Sequence, residues 1–308
     1  MHGLVTKHAP RADVVAPDLL EVEQRMASLI GLNDEDDTAT PNVSSAAAMY
    51  HLKTGGQRIR ARLALHASNS LGLARDDACS IASTAELLDN ASLIHDDLQD
   101  RDRSRRGSDT AWVVYGDEIA VCAGDLLLSA AYCALAGVSC KGRLSQMMNL
   151  THSRITHAVR GQCADLSVSR TQPFSIDDYR KIATAKSSAL LGLPIELALM
   201  AANKTDTLAV AKRAADSFAI DYQIDDDLLD VKADTARGSS APAINIVQVL
   251  QSSHAASDYN ASELARNLGR QHLMSAAVAS ADLPCQAGRL LQQLAIEWHT
   301  RLTGRCFQ

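Results

Sequence analysis

Aromatic residues are scarce in this 308-residue sequence, with three Phe, two Trp and six Tyr. Proline occurs only seven times, and no sustained alternation of β-branched and polar residues is present, so the pattern of a sheet protein is missing. A basic excess is missing too. Thirty Lys and Arg against 36 Asp and Glu leave a formal charge of -6 and a pI near 5.9, which argues against a chain held on nucleic acid by a general basic face. Any anionic ligand must then be met locally. The seven cysteines, at 79, 122, 133, 140, 163, 285 and 306, form no C-x-x-C pair and no zinc-like spacing with histidine. Reduced core thiols are expected. No apolar stretch follows a basic start in the first thirty residues, so the N-x-S/T matches beginning at Asn42, Asn90, Asn149, Asn203 and Asn260 read as chance and the location as cytoplasmic. The longest uncharged apolar run, residues 126–140, falls short of the roughly 20 residues that a spanning helix needs. It reads as a core helix, and the chain as not membrane-spanning.

What is present is helical. Apolar residues recur at three- and four-residue steps through about 17–32, 43–54, 57–72, 76–101, 116–137, 143–169, 176–202, 206–233, 243–254, 258–280 and 285–302. Breaks fall at "NDEDDTATPN", "TGG", "RRGSD", "TQPFSIDD" and "RGSSAP", none long enough for an interdomain linker. No period of 20 to 50 residues marks a solenoid. The prediction is an all-α fold, one large helical bundle over 1–308, with about 1–15 as a flexible N-terminal tail.

One stretch departs from this apolar background. "LIHDDLQDRDRSRRG", 93–107, carries four aspartates and four arginines. Ile81, Ala85, Leu88, Ser92, Asp96 and Asp100 share one face of the 76–101 helix, so small and apolar residues lead up to an acidic mouth. Carboxylates at a helix C-terminus oppose the macrodipole, and cations should compensate them. A single D-D-x-x-D is usually a solvated helix end paired with its arginines. A second copy changes the balance: "DYQIDDDLLD", 221–230, repeats the spacing at Asp226, Asp227 and Asp230. Six such carboxylates around one cavity repel unless hard cations lie between them, and an oxygen-only donor set selects Mg2+ over zinc. Arginine forks suit the remaining oxygens of a Mg2+-bridged diphosphate, and a polar mouth above an apolar shaft suits a lipid diphosphate.

From about residue 45 to 235 the sequence resembles the trans-isoprenyl diphosphate synthase (polyprenyl synthetase) family. The resemblance rests on ordered motifs: "GGQRIR" (55–60), "SLIHDDLQD" with "RRG", "AGDLLL" (123–128), "RGQCADL" (160–166), "AKSSAL" (185–190) and "YQIDDDLLD". It implies an isoprenoid-synthase-type bundle with a central cavity and three Mg2+ held by Asp96, Asp100 and Asp226, with Asp97, Asp227 and Asp230 in support. Arg105 and Lys186 would hold an allylic diphosphate, while Gln223 and the Ser187 carbonyl would lie near the allylic cation. A buried glutamine that only satisfies backbone groups is the plain alternative for Gln223. His95 reads as an outer hydrogen-bonding partner of the acidic motif rather than a ligand. The second substrate, isopentenyl diphosphate, would use Arg58, Arg60 and Arg106. A homodimer is the family's default.

Two positions depart from the family pattern. Its G-G-K lysine is Gln57 here, and the histidine of its E-x-x-H is Asp89. A unit charge pair at 4 Å is worth about 4 kcal/mol at an effective dielectric of 20, so these exchanges weaken the acceptor half of the site. The Lys-rich segment after the second acidic motif is also absent, replaced by uncharged residues 238–250. Three readings follow: chain elongation with a rebuilt acceptor pocket; ionisation of an allylic diphosphate with the cation passed to an acceptor lacking diphosphate, or cyclised; and a noncatalytic subunit of another synthase. Ala91 and Ser92, small and one turn before Asp96, leave room for a shaft floored by Leu87 and Leu88. Through the resemblance this implies a geranylgeranyl or longer chain; close helix packing is the plain alternative.

Overall fold

The structure, a computed structural model, describes residues 16–31, 42–167, 174–237, 245–254 and 258–304. The expected tail at 1–15 and residues 238–244 of the atypical segment lie outside these, as does the side chain of Asp230. Helix dominates, in accord with the all-α prediction. Among the described residues the one sheet is a small hairpin, β1 (Ser104–Arg105) with β2 (Ser108–Asp109). The chain divides into two compact units, Met1–Met148 and Asn149–Gln308.

The first unit holds α1 (Ala16–Gly31), α2 (Val43–Lys53), α3 (Ile59–Ser70), α4 (Arg75–Gln99), α5 (Ala111–Tyr115), α6 (Asp117–Ala136) and the start of α7 (Lys141–Leu166). Asn42 caps α2 by accepting from the Ser45 amide at 3.2 Å. Asp76 and Asp77 lie in the first turn of α4, where the helix dipole favours them. Asp77 also accepts from the Ser139 amide and hydroxyl at 2.6 Å each, tying the α6–α7 connection to α4. Small buried residues let α4 and α6 approach: Ala78, Ala82 and Ala85 on one, Ala120, Ala123 and Ala131 on the other. Ile81, Leu87, Leu127 and Leu135 fill the remaining space, each worth about 1.5–3 kcal/mol when fully buried.

The second unit holds α8 (Ile176–Ala183), α9 (Ala189–Ala201), α10 (Leu208–Arg237), α11 (Ile246–His254), α12 (Asp258–Ala281) and α13 (Arg289–Gly304). A reciprocal capping box starts α8: the Ser175 hydroxyl accepts from the Asp178 amide at 3.1 Å, and Asp178 accepts from the Ser175 amide. Ile220, Ile224 and Leu228 of α10 share a core with Tyr179, Ile246, Val247 and Leu250. Tyr222 stacks on Trp298 and Phe218 packs against it at a tilt, with ring centroids 5.5 and 5.1 Å away.

Several predicted boundaries shift, each for a local reason. The helix expected from 57 starts at Ile59, because Gly55, Gly56 and Arg58 all take positive φ. The helix expected over 116–137 is preceded by a separate turn of helix, α5, broken at Gly116 (φ 92). The helix expected over 176–202 contains a π-helical turn, Thr184–Ser188. "RRGSD", read only as a break, forms the β1–β2 hairpin. Its two turn residues, Arg106 (φ 56) and Gly107 (φ 84), are both left-handed, as a tight hairpin turn requires.

The cysteine expectation needs correction. Cys79 is buried, and burial pushes its thiol up to about 12. Cys122, Cys133, Cys163 and Cys285 are exposed, since they fall on the outer faces of their elements. By length and composition, α6 and the run Ile176–Ala201 are apolar enough to cross a membrane.

Candidate active site

The first acidic motif closes α4. Asp96 is half-buried, Asp97 is buried and Asp100, the helix C-cap, is exposed. The Asp100 amide donates to the Asp96 carbonyl at 2.8 Å. Asp96 and Asp100 are one turn apart, neighbours on the helix surface. Asp97, only 1% exposed, turns from them to Arg105 on the hairpin, whose Nε donates to its two oxygens at 2.7 and 3.0 Å while Nη2 lies 2.6 Å from Oδ1. Burial pushes the Asp97 carboxyl up, and Arg105 pulls it the other way. Burial opposes the Arg105 charge, but the bond to Asp97 holds its pKa above the usual arginine value. The hairpin is fixed from both sides: Trp112 Nε1 and Thr110 Oγ1 donate to the Asp102 carbonyl at 2.8 Å, and the Tyr50 hydroxyl donates to the Asp109 carbonyl at 2.9 Å. His95 packs over Gly124 of the "AGDLLL" motif, where any side chain would collide with its ring, and its Nε2 lies 3.7 Å from Asp125.

The acceptor residues named from the resemblance also gather in this unit, with internal partners. Arg58 bonds Glu23 at 3.2 Å, Glu86 at 3.5 Å and the Leu52 carbonyl at 2.8 Å. Arg60 Nη2 lies 3.0 Å from Asp89 Oδ1. Arg106 Nη1 donates to the Gly55 carbonyl, and its guanidinium lies 2.7 Å from where a side chain at Gly56 would begin. Burial lowers the Arg106 pKa, with Arg105 and Arg58 adding to that and Asp89 opposing it. Gln57, in the place of the family's lysine, is exposed. Two residues of this cluster were not singled out from the sequence. Glu86 is 3% exposed, accepts from the Ala61 amide at 3.1 Å, and is pushed up by burial and by Asp89. His51 is 2% exposed, with its Nε2 lacking a hydrogen-bond partner; burial, then Arg105, Arg106 and Arg58, push it down to about 3. Glu86 is the first residue of the E-x-x-H pattern whose last position is Asp89, which is the signal that could have found it, while His51, one turn before "GGQRIR", has no motif of its own. Ala91 is 3% exposed, and half-buried Ser92 donates to the Asp89 carbonyl at 2.8 Å.

In the second unit Asp226 is half-buried and Asp227 buried. Asp227 accepts from Gln223 Nε2 at 3.1 Å and from the Ile246 amide at 2.8 Å, so it caps the start of α11. Asn245 Nδ2 donates to the Asp227 carbonyl at 2.9 Å. Beside Asp227, burial drives the Tyr179 hydroxyl upward. The Ser187 hydroxyl lies 3.5 Å from Gln223 Oε1, so both ends of that amide have protein partners. Lys186 Nζ bonds Asp165 at 2.7 Å. The "RGQCADL" motif thereby gains a structural role, since Asp165 holds Lys186 and Gly161 lets α7 approach the π-helical turn, where a side chain at 161 would begin 2.5 Å from the Lys186 amide nitrogen.

Each acidic motif therefore commits its middle carboxylate to the protein. Among the described residues no three His, Cys, Asp or Glu side chains converge to hold a metal. The half-buried Asp96 and exposed Asp100 one turn apart, and Asp226, are oxygen donors that fit a hard divalent cation whose remaining sphere is supplied by water or phosphate. Unit by unit, the described residues define an all-helical protein with a D-D-x-x-D carboxylate set at a helix end and fixed cations nearby.

The sequence profile of the polyprenyl synthetase family matches residues 41–241, and the chain belongs to that family. It is 32% identical over 203 residues to a geranylfarnesyl diphosphate synthase of Aeropyrum pernix, covering 63% of this chain and 64% of the relative. It is 29% identical over 196 residues to a short chain isoprenyl diphosphate synthase of Methanothermobacter thermautotrophicus, covering 63% and 60%. The chain thus spans about three fifths of the length of these curated relatives. Among solved structures, a geranylgeranyl pyrophosphate synthetase from the archaeon Geoglobus acetivorans superposes with a TM-score of 0.79 at 21% identity, covering 92% of this chain and 98% of that one. A decaprenyl diphosphate synthase from Rhodobacter capsulatus gives 0.80 at 19%, covering 94% and 98%. These likenesses show a shared fold.

Proposed function

We propose that the chain is a Mg2+-dependent prenyltransferase, transferring an alkyl group other than methyl. It ionises an allylic isoprenoid diphosphate and joins the allylic carbon to isopentenyl diphosphate, giving a trans-polyprenyl diphosphate of geranylgeranyl length or longer. The observation that carries this is Arg105 held on Asp97 next to Asp96 and Asp100. A preoriented guanidinium beside a pair of carboxylates suits a diphosphate bridged by a hard cation. The names of the relatives, isoprenyl and geranylfarnesyl diphosphate synthases, support the same chemistry.

Mg2+, three per site by the family resemblance, would supply charge neutralisation of the leaving diphosphate. Asp96, Asp100 and Asp226 are its candidate ligands, with Asp97, Asp227 and Asp230 in support. Arg105 and Lys186 orient the allylic diphosphate. Its C–O bond breaks with the electron pair leaving on pyrophosphate; the acceptor's double bond forms the new C–C bond, and the proton it sheds passes to pyrophosphate. Gln223 and the Ser187 carbonyl are the candidate dipoles for the electron-poor carbon, Gln223 through an oxygen that lies 3.5 Å from the Ser187 hydroxyl. Arg58, Arg60 and Arg106 serve the acceptor, and Ala91 and Ser92 border the hydrocarbon. The reading includes a single catalytic domain over 1–308 in the cytoplasm, not spanning a membrane. It also includes a homodimer, the default of the family that the sequence resembles.

A second reading is favoured by one contact. Because Asp89 already neutralises Arg60, the allylic cation could instead pass to an acceptor without diphosphate or to the substrate's own double bonds. Purified protein with Mg2+ and farnesyl or geranylgeranyl diphosphate, with and without isopentenyl diphosphate, tests both by pyrophosphate release and product mass. Release and a longer diphosphate only when both substrates are present support elongation. Release without isopentenyl diphosphate supports the second reading, and no release in either condition refutes both.

A further inference from the structure

Asp89 lies seven residues before Asp96, close to two helical turns, so the two share a face of α4 about 10 Å apart along its axis. At this level one arginine of the acceptor half, Arg60, already holds an anion. Arg60 Nη2 lies 3.0 Å from Asp89 Oδ1, and the two side chains are 21% and 8% exposed. The Asp89 charge also reaches Arg106, which burial and the neighbouring Arg105 disfavour as a cation. Neither neighbour restores the lost charge: Gln57 is neutral, and the buried His51 beside Arg58, Arg105 and Arg106 is held neutral. A carboxylate that bonds one guanidinium and whose charge favours the cation of a second does chemically what a bound phosphate group would do, offering only acceptor oxygens and negative charge.

We infer that Asp89 is an internal competitor for the acceptor's diphosphate at Arg60, and the specificity-determining residue of the acceptor half-site. An incoming diphosphate must draw Arg60 away from Asp89 and then remain beside the displaced carboxylate, whose like charge repels it. Isopentenyl diphosphate therefore saturates the enzyme weakly, and an acceptor with less negative charge meets no such opposition. Arg105, assigned to the allylic diphosphate, is held by a different carboxylate, Asp97, so a change at Asp89 leaves its partner in place.

The inference rests on the prenyltransferase reading, and its test separates the two. Steady-state KM values for isopentenyl diphosphate and for farnesyl diphosphate are measured on the full chain with Mg2+, for the unsubstituted protein and for Asp89→Asn, Asp89→His and Asp89→Glu. Thermal melting verifies folding of each. Asp89→Asn is expected to lower the KM for isopentenyl diphosphate by about tenfold and Asp89→His by more. Asp89→Glu, which keeps the charge, should stay near the unsubstituted value. The KM for farnesyl diphosphate should move far less, whereas a general loosening of the unit would move both. If Asp89→Asn does not fold, the contrast between Asp89→His and Asp89→Glu decides in its place. Equal isopentenyl diphosphate KM values across the folded variants, or a rise on neutralising Asp89, overturn the inference while leaving the prenyltransferase reading intact. Absence of pyrophosphate release in every variant overturns both.

Discussion

Arg105 meets Asp97 side-on, spending its Nε and one edge of Nη2 on a carboxylate that is almost wholly buried. The opposite edge of the guanidinium, Nη1 and the outer Nη2 hydrogen, is thereby oriented for an anion. A salt bridge this deeply placed orients its arginine, whatever its net contribution to stability.

Asp97→Asn should consequently raise the KM for the allylic diphosphate by about tenfold or more, with a smaller change in kcat. The amide keeps the shape but donates as well as accepts, and it carries no charge for Arg105. Asp97→Ala should raise KM further and lower the melting temperature, because it leaves Arg105 partly buried without its partner. An unchanged KM in Asp97→Asn would show that Arg105 takes no part in binding.

Asp96→Ala and Asp226→Ala should each reduce turnover by more than about a hundredfold, more than the loss of an outer-sphere partner typically costs. Neither is buried, so melting temperatures without Mg2+ should stay within a shift equivalent to about 0.5 kcal/mol. Retention of activity by either variant would refute the metal-ligand assignment.

Product length should answer to Ala91 and Leu88, 3% and 2% exposed on α4. If hydrocarbon passes Ala91, Ala91→Phe shortens the product or bars the longer allylic substrate, and Leu88→Ala lengthens or admits it. If Ala91 is small only for helix packing, Phe costs about 1–3 kcal/mol of stability through overpacking and the product distribution, read by mass analysis, does not move.

Acid should destabilise the fold through His51. Its pKa is about 3 in the folded chain against 6.5 ordinarily, so the unfolded chain binds the extra proton. The contribution is complete above pH 6.5 and is lost as pH falls from there towards 3, at up to about 1.4 kcal/mol per pH unit. Glu86, displaced upward, works in the opposite direction, so the useful quantity is the difference between the unsubstituted chain and His51→Gln. Denaturant unfolding at a series of pH values should show a shallower acid loss in the variant, and parallel curves would clear His51 of this role.

The helices were legible because apolar spacing survives in one dimension, and so were both acidic motifs, whose i, i+1, i+4 spacing places them at helix positions independent of tertiary packing. The division of labour within each motif was not. Asp97 and Asp227 look like their neighbours in sequence, and only the arrival of Arg105 from a hairpin and of the Ile246 amide from α11 distinguishes them. The hairpin itself was hidden because two-residue strands have no periodicity to detect. Lys186 and Asp165, 21 residues apart, could be placed in motifs but not paired, since neither motif specifies the partner. The Asp89 departure was visible as a lost cation. That it would seize Arg60 depended on the packing of α3 against α4.

The seat of Arg106 on Gly56 carries one further consequence. A side chain anchored to the Gly55 carbonyl and laid flat against the next residue works as a rivet between the 104–109 hairpin and the loop that launches α3. The backbone carrying Arg105 and the backbone carrying Arg60 are fastened at that point, so the hairpin cannot hinge without tugging on the strip of chain that precedes Arg60. Movement of the hairpin is thereby passed to the start of α3 through Arg106, itself one of the arginines assigned to the acceptor.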